Sequence, residues 1–321
     1  MDFLSTILLP FTWVVSWILW AFHAGFSWLG LDPANGWTWT FSIIGLVLVI
    51  RAALIPVFVK QIKAQRGMQA LQPDLRKLQQ KYKGKTDQLS RQAMTQEQMA
   101  LYKKHGTNPF SACLPMLVQM PFFFALFRVL STASHASANG EGIGALSPEL
   151  IRQFDASSIF GAPLSASLLH GGGGANQGAV VVLSIIMILA MTASQFITQK
   201  QIMAKNMSAE AMQSPFMKQQ QMMLYILPLV FGIGGINFPI GVLIYWTTTN
   251  IWTMAQQFFV IRRMPTPGSQ AARELADRRA KKGLPMIPLL GERKTEEPAV
   301  EAPAEPKGQR HQPQRKNRKR K

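Results

Sequence analysis

Residues 37–59 read WTWTFSIIGLVLVIRAALIPVFV, an apolar run with one charge, Arg51, inside it. At about 1.5 Å rise per residue the run is long enough to cross a bilayer as a helix. On insertion scales an arginine near the membrane centre costs about 2.5–3.5 kcal/mol. The next basic residue, Lys60, lies nine positions on, roughly 13 Å along a helix axis, and a guanidinium snorkels only part of that distance. The run therefore predicts that Arg51 faces a polar cavity within the membrane. The plainer alternative is an arginine that snorkels or is inertly paired.

The rest of the chain has the same segmented character. It is 321 residues long and 48% hydrophobic, with the apolar content gathered into long runs, the pattern of a polytopic membrane protein. Of 34 Lys and Arg, 11 lie in 60–105, 3 in 200–221 and 17 in 262–321. These three basic segments alternate with the apolar runs, and the positive-inside rule assigns all three to the cytoplasm. Spans are expected at about 37–59, 109–130, 179–198, 222–236 and 240–260, with the C-terminus cytoplasmic. The expected fold is an all-α polytopic membrane protein with a core at 37–263.

Three segments lie outside that set of spans. Residues 1–36 hold a helix whose polar residues Ser5, Thr12, Ser16, His23 and Ser27 form one narrow stripe. Trp13, Trp17, Trp20 and Trp28 suit a membrane interface. An amphipathic helix on the outer surface is expected, and a sixth span is the alternative. Residues 60–105 read as a cytoplasmic helical hairpin: Met68, Leu71, Leu75, Leu78 and Tyr82 recur at helical spacing, Pro73 suits a first turn, and Gly84 breaks the pattern. The tail 264–321, rich in Pro, Ala, Glu and Lys and ending in KNRKRK, is expected to be disordered.

Polar groups at depth mark the candidate site. Gln119, Thr192 with Gln195, and the Thr247–Asn250 stretch that includes Thr248 could line one wet cavity with Arg51. No Asp, Glu or His lies within the expected spans beside Arg51, which weighs against proton-coupled transport. No serine–base pair, H-E-x-x-H or Walker motif is present, so hydrolytic, metal-dependent and nucleotide chemistry find no support. No enzyme activity, catalytic residue, metal or cofactor is expected. The glycine run 170–174 reads as a linker, and Gly232, Gly234 and Gly235 read as close helix packing. An unpaired cation in a hydrophilic pocket attracts anions, and an acidic peptide segment is its natural guest.

The chain resembles the YidC-type membrane protein insertases, related to the mitochondrial Oxa and chloroplast Albino proteins. The resemblance rests on the arginine in the first core span and on the Met68-Gln-x-Leu-Gln-Pro73 entry to the hairpin. It continues through Asn108-Pro109, Pro115, Gln119-Met120-Pro121 and Phe122 to Phe124. Phe238-Pro239, Gly241, Tyr245-Trp246, Asn250 and Gln256-Gln257 complete it. It covers about residues 3–263 and looks like a Gram-positive-type member without a large outer domain. It implies a five-span bundle in the bacterial cell membrane, enclosing a groove closed outward and open to cytoplasm and lipid. Arg51 would be the central charge of that groove, with Gln195 and Trp246 as neighbours. The implied partners are nascent membrane proteins, the lipid bilayer, the ribosome through rRNA contacts of the basic tail, and the Sec translocon.

Overall fold

The computed structural model describes residues 3–106, 108, 114–169, 176–207 and 232–286, together with residues 222, 226 and 228–230. Pro109, Cys113, the glycine run, the Met/Gln-rich connector after Met207 and the tail from residue 287 lie outside the described residues. The chain is mostly helical. α1 spans Phe3–Trp28 and α2 Gly36–Ala53, the latter capped by the Asn35 side chain, which accepts from Trp37 N at 2.9 Å. α2 ends earlier than the 37–59 run suggests. Pro56 has no N–H to give the carbonyl of Ala52, so the helical ladder is interrupted there. The chain turns at Leu54 and resumes as α3, Ile55–Ala70.

A helical hairpin follows. α4 is Gln72–Lys81 with Pro73 in its first turn, and α5 is Gln88–Lys104 with Asp87 as its N-cap. Gly84 adopts φ 84° in the connection, a conformation that costs glycine nothing. A small apolar cluster of Leu71, Leu75 and Tyr102, with Met68 and Leu101 against it, holds the pair together. On the surface Lys81 Nζ donates to Glu97 at 2.6 Å and Tyr82 Oη donates to the same carboxylate at 2.8 Å. The hydrogen bond from Lys81, then that from Tyr82, holds the Glu97 carboxyl below its ordinary range.

α6, Leu114–Ser131, runs through Pro121 without a break and meets α7, Ala133–Asn139, at a 45° bend. α8, Pro148–Ala156, and a two-stranded hairpin, β1 Ser158–Ile159 with β2 Ala162–Pro163, complete a folded cap over one end of the bundle. α9 is Gln177–Asn206, and its 30 residues carry it past the expected span into polar sequence. A short apolar helix at Pro228–Asn237 leads to α10, Ile240–Arg263. Gly232 faces Thr192 Oγ1, and Gly235 faces Ile188 and Met191, so two of the three glycines serve close packing on α9. Among the described residues three helices, α1, α2 and α9, are long and apolar enough to cross a membrane. A fourth candidate is α6 with α7 counted as one bent span.

Two sequence expectations are corrected. The tail from residue 264 does not begin as disorder. Residues Gln270–Ala280 form α11, with Ser269 capping it and Ala271 buried. Asn206 Oδ1 accepts from Thr266 N at 2.9 Å and ties this turn to the end of α9. The polar stripe of α1 does not face water either. Thr12, Ser16 and His23 are buried: Ser16 Oγ accepts from Ala145 N at 2.9 Å, and His23 Nε2 donates to Pro33 O at 3.0 Å. His23 also stacks on Trp39 with centroids 3.9 Å apart. The exposed face of α1 carries Trp13, Trp17 and Trp20 instead. The cap satisfies Ser16 and the α1–α2 loop His23, while Thr12 and Ser27 donate back to carbonyls of α1 itself.

The core joins cap and bundle. Trp39 is fully buried and meets the Phe154 ring edge-on at 5.3 Å. The first N–H groups of α10, orphaned by helix geometry, are taken up by the cap: Ile240 N donates to Ala166 O and Gly241 N to Leu164 O, both at 2.9 Å. Gly36 lies against the Ser158 carbonyl so closely that a Cβ would sit 2.1 Å from its oxygen.

Gly36→Ala is therefore expected to lower the thermal midpoint in detergent, by the equivalent of about 1–3 kcal/mol for a forced overlap. Gly25→Ala, with open space around its Cβ, should leave the midpoint in place or raise it. In the hairpin, the stabilising contribution of Glu97 is present above the carboxyl's unfolded pKa and lost as pH falls through its lowered folded value. Corrected for the intrinsic pH dependence of exchange, the amides of α4 and α5 should lose protection across that acidic window in the wild type and not in Glu97→Gln.

Candidate functional site

Arg51 leaves the last turn of α2 and enters a cavity of about 410 Å³ walled by α2, α6, α9 and α10. Gln119, Met120, Phe123 and Phe124 come from α6, and Gln195, Thr198 and Gln199 from α9. Tyr245, Trp246, Thr249, Asn250 and Thr253 come from α10. The α10 set follows the i, i+1, i+4, i+5, i+8 pattern of one helix face. That explains how a 24-residue helix so rich in polar groups sits in an apolar bundle: its polar side is turned inward.

Two side-chain hydrogen bonds stitch the walls together. Gln119 Nε2 donates to Tyr245 Oη at 3.3 Å, joining α6 to α10. Asn250 Nδ2 donates to Met191 O at 3.3 Å, joining α10 to α9. Both are long, and so are weaker than an ideal bond. Gln195 Oε1 is buried without a hydrogen-bond partner; an unmet acceptor lining a cavity that large suits bound water or a polar guest. Toward the cap an aromatic cluster closes the space. Phe123 stands edge-on to Trp246 at 5.2 Å, Phe238 stacks on Trp246 at 5.5 Å, and Phe127 meets Phe238 at 5.4 Å. At the other end Gln199 is exposed, so polar groups continue toward the basic segments.

Two ion pairs, Lys81–Glu97 and Glu149–Arg152, and an Asp74–His105 contact at 3.6 Å form among the described residues, and none includes Arg51. The guanidinium is half-buried and, among the described residues, shares its cavity with uncharged side chains only. No cluster of three or more His, Cys, Asp or Glu suited to a metal ion exists among the described residues. The arrangement can attract and orient an anionic group, and it offers no nucleophile paired with a base.

Of the seven groove residues read from the sequence, Arg51, Gln119, Gln195, Trp246 and Asn250 line the cavity. Thr192 and Thr248 do not. Thr192 shares a helix face with Gln195 and Gln199, but one turn farther on Gly232 presses against its hydroxyl. Thr248 lies off the lining face of α10, and its hydroxyl donates back to Ile244 O at 2.8 Å. Sequence reasoning missed Phe123, Thr198 and Thr253 as lining groups, although the α10 helical period starting from Trp246 contains Thr253.

The motif residues are mainly architectural. Pro73 opens α4, Pro115 sits in the first turn of α6 and Pro121 within it. Pro239 caps α10 and bridges to Ser167, and Gln256 Oε1 accepts from Trp252 Nε1 at 3.0 Å. Asn108 is exposed. Tyr245 does both jobs, holding Gln119 and lining the cavity. In a Cys113→Ser background, Thr253→Cys should react with a water-soluble alkylating reagent in intact vesicles. Ser184→Cys, fully buried, should react far more slowly.

Comparison with known proteins agrees with this architecture. A family model described as "60Kd inner membrane protein" matches residues 30–267. The protein named Membrane protein insertase YidC from Streptomyces avermitilis is 46% identical over 284 residues, which are 87% of this chain and 64% of that protein, so the chain spans just under two thirds of that relative. Proteins of the same name from Tropheryma whipplei and Bifidobacterium longum are 44% and 36% identical. They cover 84% and 99% of this chain, and the matches span 88% and 96% of their own lengths. A mostly helical chain with several apolar helices, matched along most of its length by proteins of this one name, is a multi-pass protein of the bacterial membrane, and the chain belongs to the YidC family of membrane protein insertases.

Proposed function

We propose that the chain inserts nascent membrane proteins by receiving their polar leading segment in the Arg51 cavity. The observation that carries this reading is a half-buried arginine, outside every ion pair found, in a cavity sealed by aromatic rings at one end and polar toward the other. A polar segment crossing lipid unaided leaves its hydrogen-bonding groups unsatisfied, at several kcal/mol each. A hydrated cavity reaching part-way across shortens that path. Burial of the substrate's own apolar helix, at about 25 cal/mol per Å², drives the net transfer. No covalent step is involved.

The reading includes a topology. The basic segments lie in the cytoplasm, with the C-terminus, and the cap lies outside. Five spans enclose the cavity: α2 with the start of α3, α6, α9, the apolar helix ending at Asn237, and α10. α1 lies obliquely at the outer interface, with its tryptophans toward lipid. In support, the ring contacts of α1 with its neighbours lie between their capped ends and about mid-helix, with His23 on Trp39, Phe26 near Phe41, Phe22 against Gly45 and Phe11 edge-on to Phe122. The hairpin recruits substrate, and the basic tail engages ribosomal RNA phosphates. The protein chaperones folding and works alone or beside the Sec translocon.

The test is insertion of a small single-span protein with an acidic outer tail into liposomes containing only this chain, read by protease protection. Protection should exceed that in empty liposomes. A charge-assisted hydrogen bond contributes roughly 1.5–3 kcal/mol, so Arg51→Ala should cut insertion of the acidic substrate by on the order of tenfold or more. Arg51→Lys should retain most activity, and a substrate with a neutral tail should be affected least. Equal insertion of every substrate by Arg51→Ala would defeat the charged-groove mechanism.

A further inference from the structure

Phe160 is the one residue other than glycine with positive φ among the described residues, at 50°. It takes the first central position of the two-residue loop between β1 and β2, because Ile159 pairs with Ala162. Gly161 follows with φ 79°. Two successive positive φ angles are the pattern of a type I′ turn, whose first position favours Asn, Asp or Gly. A phenylalanine there is sterically disfavoured, and its ring gains little burial in exchange, being 72% exposed. The cap places a bulky apolar ring at an exposed turn against local preference.

The position of that ring indicates its partner. It stands edge-on to Trp37 with centroids 5.2 Å apart. Trp37 opens an exposed stripe on α2 that continues through Phe41 and Leu48, three residues that fall within about 40° around the helix. α2 is long and apolar enough to cross the membrane, so this stripe faces lipid. The hairpin leans directly on Gly36 through the Ser158 carbonyl, which holds Phe160 level with the first turn of α2. That level is the membrane–water interface, where aromatic rings are favoured.

We infer that Phe160 is a membrane anchor: the β1–β2 turn sets its ring into the interfacial layer of the leaflet at the capped end, beside Trp37, and fixes the depth of the cap. The inference rests on α2 as a span and is independent of what the cavity binds. To test it, Phe160→Cys in the full chain with Cys113→Ser is labelled with an environment-sensitive fluorophore. The protein is then placed in phosphatidylcholine–phosphatidylglycerol vesicles with acyl chains brominated at shallow or deep positions. Glu141→Cys, exposed in the same cap, is the aqueous control.

The label at 160 should emit to the blue of the control and be quenched more strongly by shallow than by deep bromines. Water-like, unquenched emission would overturn the inference. So would blue emission without lipid quenching, which would mean that protein covers the turn. Phe160→Asn supplies a second readout. As a better turn residue it should hold or raise the melting temperature in detergent and lower it in vesicles. A lower melting temperature in detergent, or an unchanged one in vesicles, would each overturn the anchor.

Discussion

A helix that begins inside a membrane protein must find partners for its first N–H groups, because lipid provides none. α10 finds them in the cap, through the carbonyls of Leu164 and Ala166. The other features of the bundle follow from this pairing. It docks the cap on the helix that supplies the largest share of the cavity wall, and it seats Gly241 against the Phe154 ring, where a Cβ would lie 3.2 Å away. It also fixes the height of Tyr245, Trp246 and Asn250 relative to Arg51 on the neighbouring α2. The aromatic cluster around Trp246 then separates the cavity from the capped end.

Inside, the balance of terms is unusual for a helical bundle. A narrow set of apolar layers, with Ile43, Leu46 and Ile240 fully buried, holds the cap-side half together. Below it the walls are tied by two long hydrogen bonds and by little else that is polar. An apolar filling would pack more tightly and stabilise more. The chain instead keeps a charge, amides and hydroxyls at a depth where each costs desolvation. The proposed function gives that arrangement a use, since a hydrated cavity with a cation in it would lower the barrier for a polar group entering it.

Much of this was legible in the residues. One arginine among aliphatic side chains pointed to a cavity, and Gln119 and Asn250 in other apolar runs pointed to its walls. Proline and glycine marked the ends of the hairpin helices. Thr192 and Thr248 misled because sequence shows a polar residue but not what covers it: Gly232 takes the first, and the helix's own backbone satisfies the second. The stripe on α1 was real, yet its direction depended on a cap whose fold has only a few short elements and a two-residue turn. α11 was read as disorder from its Pro- and Lys-rich surroundings. Ser269 ahead of a run of Ala, Arg, Glu and Leu, all good helix formers, was the signal available there.

The interruption ahead of Pro56 divides the first basic segment from the bundle in a mechanical sense. A continuous helix from Gly36 to Ala70 would behave as a stiff rod, so that a load on the α4–α5 hairpin would twist or tilt α2 and carry Arg51 with it. With one turn of the ladder missing, bending is concentrated at Leu54, where Phe58 N to Leu54 O at 2.9 Å resumes the helix. The hairpin can swing on that joint while the guanidinium stays in register with α10. In the proposed topology, movements of the hairpin outside the membrane would thus be decoupled from the position of the charge.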